Sequence, residues 1–474
     1  MNTFAGRTKE VNQILDTFNP RKGTLNVIRG RRRIGKTRLI KELPNHSKKV
    51  TLRYLTSLPP SPELTDQIER EQYAEQVKRE FKLTYTPPHD SWRALFSFIG
   101  DQCRDKHTIL ALDEINWCAT KSPAFMSMFF ELWENEYSQK QNFIVILSGS
   151  LSSWIEENIL MNKGFVGRIS VTLTLNELKL SDMKAFFGAK LQRTPKLEII
   201  KLIGALGAIP RYLEEIQLKH SAEANLERIA LSEGGLLYEE FERMFYDLFS
   251  KENKFFRDIL KVIGVSKTLM TPKEIAEKMK LTYSGRHSQA LDILCEVGFL
   301  KKQYYWNISS KKKSNYFVVR PSDNYTLFYF RYILPLKEAR QMGGAGNKNL
   351  PNILGLQFEN LVHNNVEYIL DKIGIKSKDV LFAGGYYQTA NKRRQGCQID
   401  LMIQTKNRVY VCECKLYSGE VPRNIVNEIQ SKIDKLVAAR GVSFHPVLIH
   451  ANMVNKSVED NDYFDHIIDM QDAL

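Results

Sequence analysis

Short apolar runs alternate with longer mixed segments along the first third of the chain. Leu25–Ile28, Thr108–Leu112 and Phe143–Leu147 are nearly uninterrupted runs of apolar residues. Runs this short and this uniform predict strands covered on both faces, the signature of a parallel sheet with crossover helices. From about 176 to 250 the pattern is helical. Thr271-Pro272-Lys273-Glu274 is a capping-box pattern with proline in the first turn, and it predicts a helix over 272–279. A second helix follows over about 284–297, ended by Gly298. Phe299–Trp306 and Tyr316–Val319 then predict a hairpin around a loop that carries Lys311, Lys312 and Lys313. A Gly/Asn-rich stretch over 341–349 predicts a linker, and a second mixed α/β region fills 353–474. The expected divisions are 1–175, 176–250, 251–340 and 353–474.

Composition narrows the class. The 474 residues are 43% hydrophobic and 26% charged, which argues against a disordered or fibrous chain. No apolar run is long enough to span a bilayer, and no secretory leader is expected at Met1–Arg7. Six cysteines stand at 103, 118, 295, 397, 412 and 414 without a CxxC pair, so reduced thiols in a cytoplasmic protein are expected. The net charge is +14, a balance suited to a polyanionic partner such as nucleic acid. Most of the excess has an address, because residues 251–320 hold fifteen Lys and Arg against six Asp and Glu.

The run Leu25–Ile28 leads into Gly30-Arg31-Arg32-Arg33-Ile34-Gly35-Lys36-Thr37, with Arg38 next. This is G-x-x-x-x-G-K-[ST] in a strand–loop–helix setting, where backbone N–H groups and a helix start curl around phosphates. Lys36 would reach the terminal phosphates and Thr37 would coordinate Mg²⁺. The strand over 108–112 ends in Asp113-Glu114, placing a second Mg²⁺-directed acid beside a candidate general base for the attacking water. The third strand ends in Ser148, a candidate sensor of the terminal phosphate.

Several motifs are similar to those of archaeal-type AAA+ and STAND-like ATPases. Phe4-x-Gly6-Arg7-x-x-Glu10 resembles their adenine-contacting box, and Gly207-x-Ile-Pro210-Arg211-Tyr-Leu213 resembles the motif of their helical lid. The resemblance implies ATP as the nucleotide, with Pro210 and Arg211 approaching it. It also makes Arg168, in Gly167-Arg168, a candidate arginine finger acting in cis or across a homo-oligomer boundary. Helix–turn–helix followed by a hairpin outlines a winged helix, which such ATPases often append. There Arg286, His287 and Gln289 would lie near the exposed start of the second helix and face DNA bases, with lysines 311–313 on phosphates.

In the last region, Asp400 on one strand and Glu413-x-Lys415 on the next resemble the core of the PD-(D/E)XK nucleases. By that resemblance Asp400 and Glu413 would bind Mg²⁺, Lys415 would hold the hydrolytic water, and Glu359 would add an acid from an upstream helix. Gln430, on a helix expected over 425–439, would be the further polar residue of that motif. The expected whole is a multidomain α/β chain: a P-loop parallel-sheet ATPase with a helical lid, a winged-helix domain and a restriction-endonuclease-like α/β domain. The alternative is a regulatory NTPase whose nuclease-like domain is inactive and serves for interaction. No membrane partner is expected, since no basic amphipathic helix with an aromatic face appears.

Overall fold

A computed structural model of the chain describes residues 4–59, 61, 63–103, 107–122, 124–150, 153–249, 253–266, 268–343, 354–390, 395–417, 419–437 and 441–474. The linker expected over 341–349 lies outside the described residues from 344 onward. The chain divides into two compact units, residues 3–176 and residues 177–474 with the first two. Each is described by itself.

The first unit holds five parallel strands: β1 (Thr24–Gly30), β2 (Thr51–Thr56), β3 (Thr108–Asp113), β4 (Phe143–Ser150) and β5 (Ile169–Leu175). Their order is β2-β3-β4-β1-β5. β3 is buried along its whole length, and β1 and β4 at all but one residue each, which explains why their sequences are continuous apolar runs rather than alternations. An aromatic-rich core packs on the sheet, with Trp92, Phe96, Phe125, Phe129 and Tyr137 meeting largely edge to face. In such a sheet the carboxyl ends of the strands form one edge, and the loops there are where ligands bind.

The second unit begins with helices, among them Lys196–Leu206, Pro210–Leu213 and Glu240–Phe249. Three more follow at Asn253–Val265, Pro272–Lys278 and Gly285–Glu296. The Thr271–Glu274 capping box is formed in both directions. An antiparallel hairpin comes next, β6 (Leu300–Asn307) and β7 (Lys312–Pro321). Its turn is shorter than expected, so Lys312 and Lys313 belong to β7 rather than to a loop. The hairpin is also not free. Trp306 donates from Nε1 to Gln404 Oε1 at 2.6 Å and stacks on Phe382, and Lys311 Nζ donates to the Lys406 carbonyl at 2.7 Å.

Those partners belong to a mixed sheet of β8 (Phe382–Gln388), β9 (Cys397–Gln404), β10 (Arg408–Lys415), β11 (Ser443–His450) and β12 (His466–Asp469). β8, β9 and β10 pair antiparallel, and β10, β11 and β12 pair parallel. Helix Leu354–Asn364 packs on one side of this sheet and helix Ile425–Ile433 on it from another sequence position, the latter ending six residues earlier than expected. All six cysteines are free thiols. Among the described residues no helix is long and apolar enough to cross a membrane.

Candidate functional site

β9 and β10 carry the C-terminal candidates. Asp400 and Glu413 are both buried, and Asp400 Oδ2 accepts from the Cys414 N–H at 2.9 Å. Burial drives the Asp400 carboxyl well above its ordinary value, and Glu413 and Glu359 add to that push. Glu413 and Lys415 share a face, as the two-residue strand period requires, with Nζ 3.1 Å from Glu413 Oε1. The same ammonium is 3.1 Å from Glu428.

The other oxygen of Glu413 is taken as well. Lys432 Nζ donates to Glu413 Oε2 at 2.5 Å and stands 4.0 Å from Asp400 Oδ1. A lysine ammonium therefore sits where a cation bridging Asp400 and Glu413 would lie. Glu359 faces the Arg320 guanidinium at 3.6 Å. Among the described residues no group of three or more His, Cys, Asp or Glu side chains is placed to hold one metal ion. As arranged, this centre does not fit Mg²⁺, because two ammonium groups already neutralise its best ligand.

Gln430, expected to join this centre, is exposed and bonds Asp434 and Tyr463 instead. Lys432 was missed. Ile425 and Ile429 are the buried stripe of that helix, and a residue three beyond Ile429 continues the same face. That periodicity was a usable signal.

In the three-helix region the expected base-reading residues separate. Arg286 and Gln289 are exposed, with the Arg286 guanidinium over the Phe255 ring. His287 is not exposed as expected: it is buried, with Nδ1 3.1 Å from Ser284 Oγ and its ring against Phe255. On a helix whose inward face is Ala290, Leu291 and Leu294, position 287 falls inside by the i, i+3, i+4 rule.

In the first unit, the candidates converge at the carboxyl edge of the parallel sheet. The loop from β1 enters helix Lys36–His46 through Gly35, whose φ of 97° suits glycine. Gly30 is equally constrained, since a Cβ there would lie 2.9 Å from Ile34 Cγ2 and 3.1 Å from the Leu175 carbonyl. Ile34 is buried, and its carbonyl accepts from Arg7 at 3.3 Å, so the N-terminal box braces the loop. Lys36 is buried and donates to the Gly30 and Arg31 carbonyls at 3.1 and 3.4 Å. Burial lowers its pKa, against the opposing pull of Glu114 and Asp113. Arg31, Arg32 and Arg33 line the loop, with Arg33 at φ 68°, and Arg38 is exposed beside Glu42.

Asp113 Oδ2 accepts from Thr37 Oγ1 and from Tyr54 OH, both at 2.7 Å, while Oδ1 accepts from the Glu114 N–H at 3.1 Å. Tyr54 was not anticipated. It lies on β2 beside β3, and a tyrosine in the strand next to the acid was its only sign. Glu114 has a left-handed φ of 51°, and burial raises its carboxyl above the ordinary value although Lys36 draws it down. Glu114 Oε2 and Ser148 Oγ are both buried without a hydrogen-bond partner.

Residues 4–216 match an ATPase domain found predominantly in Archaea. That match covers less than half of the chain. Over 341 residues, 72% of this chain and 71% of the other, the sequence is 26% identical to the uncharacterized protein MJECL04 of Methanocaldococcus jannaschii. The Walker-type ATPase PABY2304 of Pyrococcus abyssi aligns at a TM-score of 0.50 and 16% identity, over 69% of this chain and 95% of that one. The Aeropyrum pernix ORC2 protein aligns at a TM-score of 0.44 and 13% identity, over 71% and 95%. The likeness to PABY2304 is one of fold.

Within the ATPase domain the donor set suits a hard cation. Thr37 and Asp113 supply a hydroxyl and a carboxylate already in contact, and the orphaned Glu114 and Ser148 oxygens await polar partners. These residues fit Mg²⁺ with a nucleotide. Two candidates are engaged elsewhere. Arg168 is exposed and binds both oxygens of Glu134 at 2.6 and 3.3 Å, with its guanidinium over Phe130. Arg211 pairs with Glu214 and Glu215 at 3.1 and 2.8 Å. Pro210 opens its short helix, and both lie in the second compact unit.

Proposed function

We propose that the protein binds and hydrolyses ATP with Mg²⁺, and that this ATPase works as a switch associated with DNA. The observation that carries the first part is the buried, unpartnered Glu114 carboxylate oxygen next to the Thr37–Asp113 pair and Lys36. Lys36 would leave its loop carbonyls for the terminal phosphates, and Ser148 would sense them. Bound Mg²⁺, held by Thr37 and Asp113, would neutralise phosphate charge. Glu114 would orient and deprotonate the attacking water, a role suited to a carboxylate whose basicity burial has increased. The test is Mg²⁺-dependent ATP turnover in wild type, Lys36→Ala and Glu114→Gln. Undiminished turnover in either variant would sink this assignment.

DNA association is supported by the basic excess of residues 251–320 and by their helix–helix–hairpin order, which we assign as a winged helix. The exposed residues for it are Arg286, Gln289, Lys312 and Lys313. We assign residues 354–474 as a nuclease-like domain. The Lys432 contact favours the second reading of that domain, an interaction module without metal-dependent cleavage. A cytoplasmic setting suits the free thiols. Arg168 would act on a neighbouring protomer only by exchanging its Glu134 partner.

A further inference from the structure

A cavity of about 370 Å³ lies between the β6–β7 hairpin, β8 and helix Leu354–Asn364, all within the second unit. Its volume is in the range of small-molecule sites. Four of its lining residues are Lys301, Lys302, Lys313 and Arg320, and among the described lining residues none is acidic. Lys302 is satisfied by Asp292 from outside the cavity. Among the described residues, Lys301 and Lys313 have no such carboxylate. Although Lys301 is exposed as a residue, its ammonium is pushed below the ordinary lysine value, first by desolvation and then by Arg320. Lys313 rests its ammonium over the Tyr304 ring, 3.5 Å from the centroid.

The unsatisfied atoms have the same sign. Gln303 Nε2 and Arg320 Nη2 are buried in this wall without an acceptor, and both are donors. Arg320 is 5% exposed, with Nε committed to Asn360 at 2.8 Å and Nη2 beyond hydrogen-bond reach of Glu359 at 3.6 Å. Donors orphaned beside the Lys301 and Lys313 ammonium groups call for an anion with several acceptor oxygens. The remaining walls carry ring surface from Tyr304, Trp306 and Phe382, and at Gly385 the backbone lies close under the amide end of Gln303. Phosphate oxygens on the basic side and a planar base against the rings describe one chemistry.

We propose that this cavity binds a nucleoside phosphate, either a free mononucleotide or the phosphorylated end of a nucleic-acid strand. The site is separate from the P-loop and does not depend on the ATPase reading.

The test uses the full chain carrying Lys36→Ala, which disables the P-loop, in calorimetric titrations with AMP, adenosine, and single strands bearing a 5′-phosphate or a 5′-hydroxyl. AMP should bind saturably and adenosine should not. Adding Lys301→Ala and Lys313→Ala should weaken AMP by at least about ten-fold, since each removes a charge-assisted contact. Restoring charge with Lys301→Arg and Lys313→Arg should recover most of it. Both lysines are exposed, so the fold should survive, as a thermal melt would show. A strand that binds only with its 5′-phosphate, AMP being ignored, would support the site with a strand end as its ligand. Binding that is identical in the parent and the double variant would overturn the proposal. So would failure of every phosphate-bearing probe, or equal strand affinity with and without the phosphate when AMP does not bind.

Discussion

Under the proposed function, Glu114 carries the proton chemistry of the nucleotide site in one side chain. Its carboxyl is raised by burial, so in the folded protein it takes up a proton at a pH above the ordinary glutamate value of about 4.3. A base must be deprotonated to act. ATP turnover should therefore fall on the acid side with an apparent pKa above that of a free glutamate. The acid limb should disappear from whatever residual rate Glu114→Gln retains, and a pH–rate profile for both proteins checks this. Tyr54 deserves the companion measurement. Tyr54→Phe removes one of the two hydroxyls on Asp113 Oδ2 and should reduce turnover by about 10-fold, the lower end of what outer-sphere partners of a metal ligand contribute. The loop over 30–37 is legible because its glycine spacing states a strand–loop–helix turn, which the structure has. Tyr54 is not, because its partner is 59 positions away and only strand order brings them together.

At the scale of elements, local chemistry and tertiary packing differ in how far they can be read. The Thr271–Glu274 box could be read directly, since both hydrogen bonds run between residues three apart. Thr271→Ala should cost about 1 kcal/mol, measurable by denaturant unfolding without loss of slope. The helix expected over about 284–297 runs Gly285–Glu296, but His287 lies on its buried face rather than its exposed one. Its neighbours in the first turn are polar, and the face is set by Ala290, Leu291 and Leu294 further along, with Phe255 packed on the ring. The same limit applied to the acid centre. The strand pair carrying Asp400, Glu413 and Lys415 is evident from alternation and the Thr405–Asn407 turn, whereas helix periodicity gives the face of Lys432 but not the acid it meets. With Lys432 holding Glu413, a supercoiled plasmid incubated with wild type and Mg²⁺ should remain uncut. Nicking by wild type that both Asp400→Ala and Lys415→Ala abolish would refute that expectation.

Across the whole chain, charge is uneven in a way that separates possible roles. Residues 355–474 carry fourteen basic and fifteen acidic residues, so that region should have little electrostatic hold on DNA of its own. Affinity for duplex should come from residues 251–320 and should fall steeply with salt. Reversing Lys312 and Lys313 to glutamate should weaken binding on all sequences alike and flatten the slope of log affinity against log salt by about 2, one for each phosphate contact removed. Filter binding at several salt concentrations measures it, and an unchanged slope would place the DNA contact elsewhere.

The docked hairpin has a practical consequence for dividing the chain. The Gly/Asn-rich stretch after residue 341 looks like a natural place to cut, yet Trp306, Tyr305 and Lys311 on one side rely on Phe382, Tyr387, Gln404 and Lys406 on the other. A fragment ending there would turn the Trp306 and Tyr305 rings, now stacked on Phe382 and Tyr387, toward water. It should be recovered mainly as aggregate, while a Trp306→Ala full-length chain stays soluble.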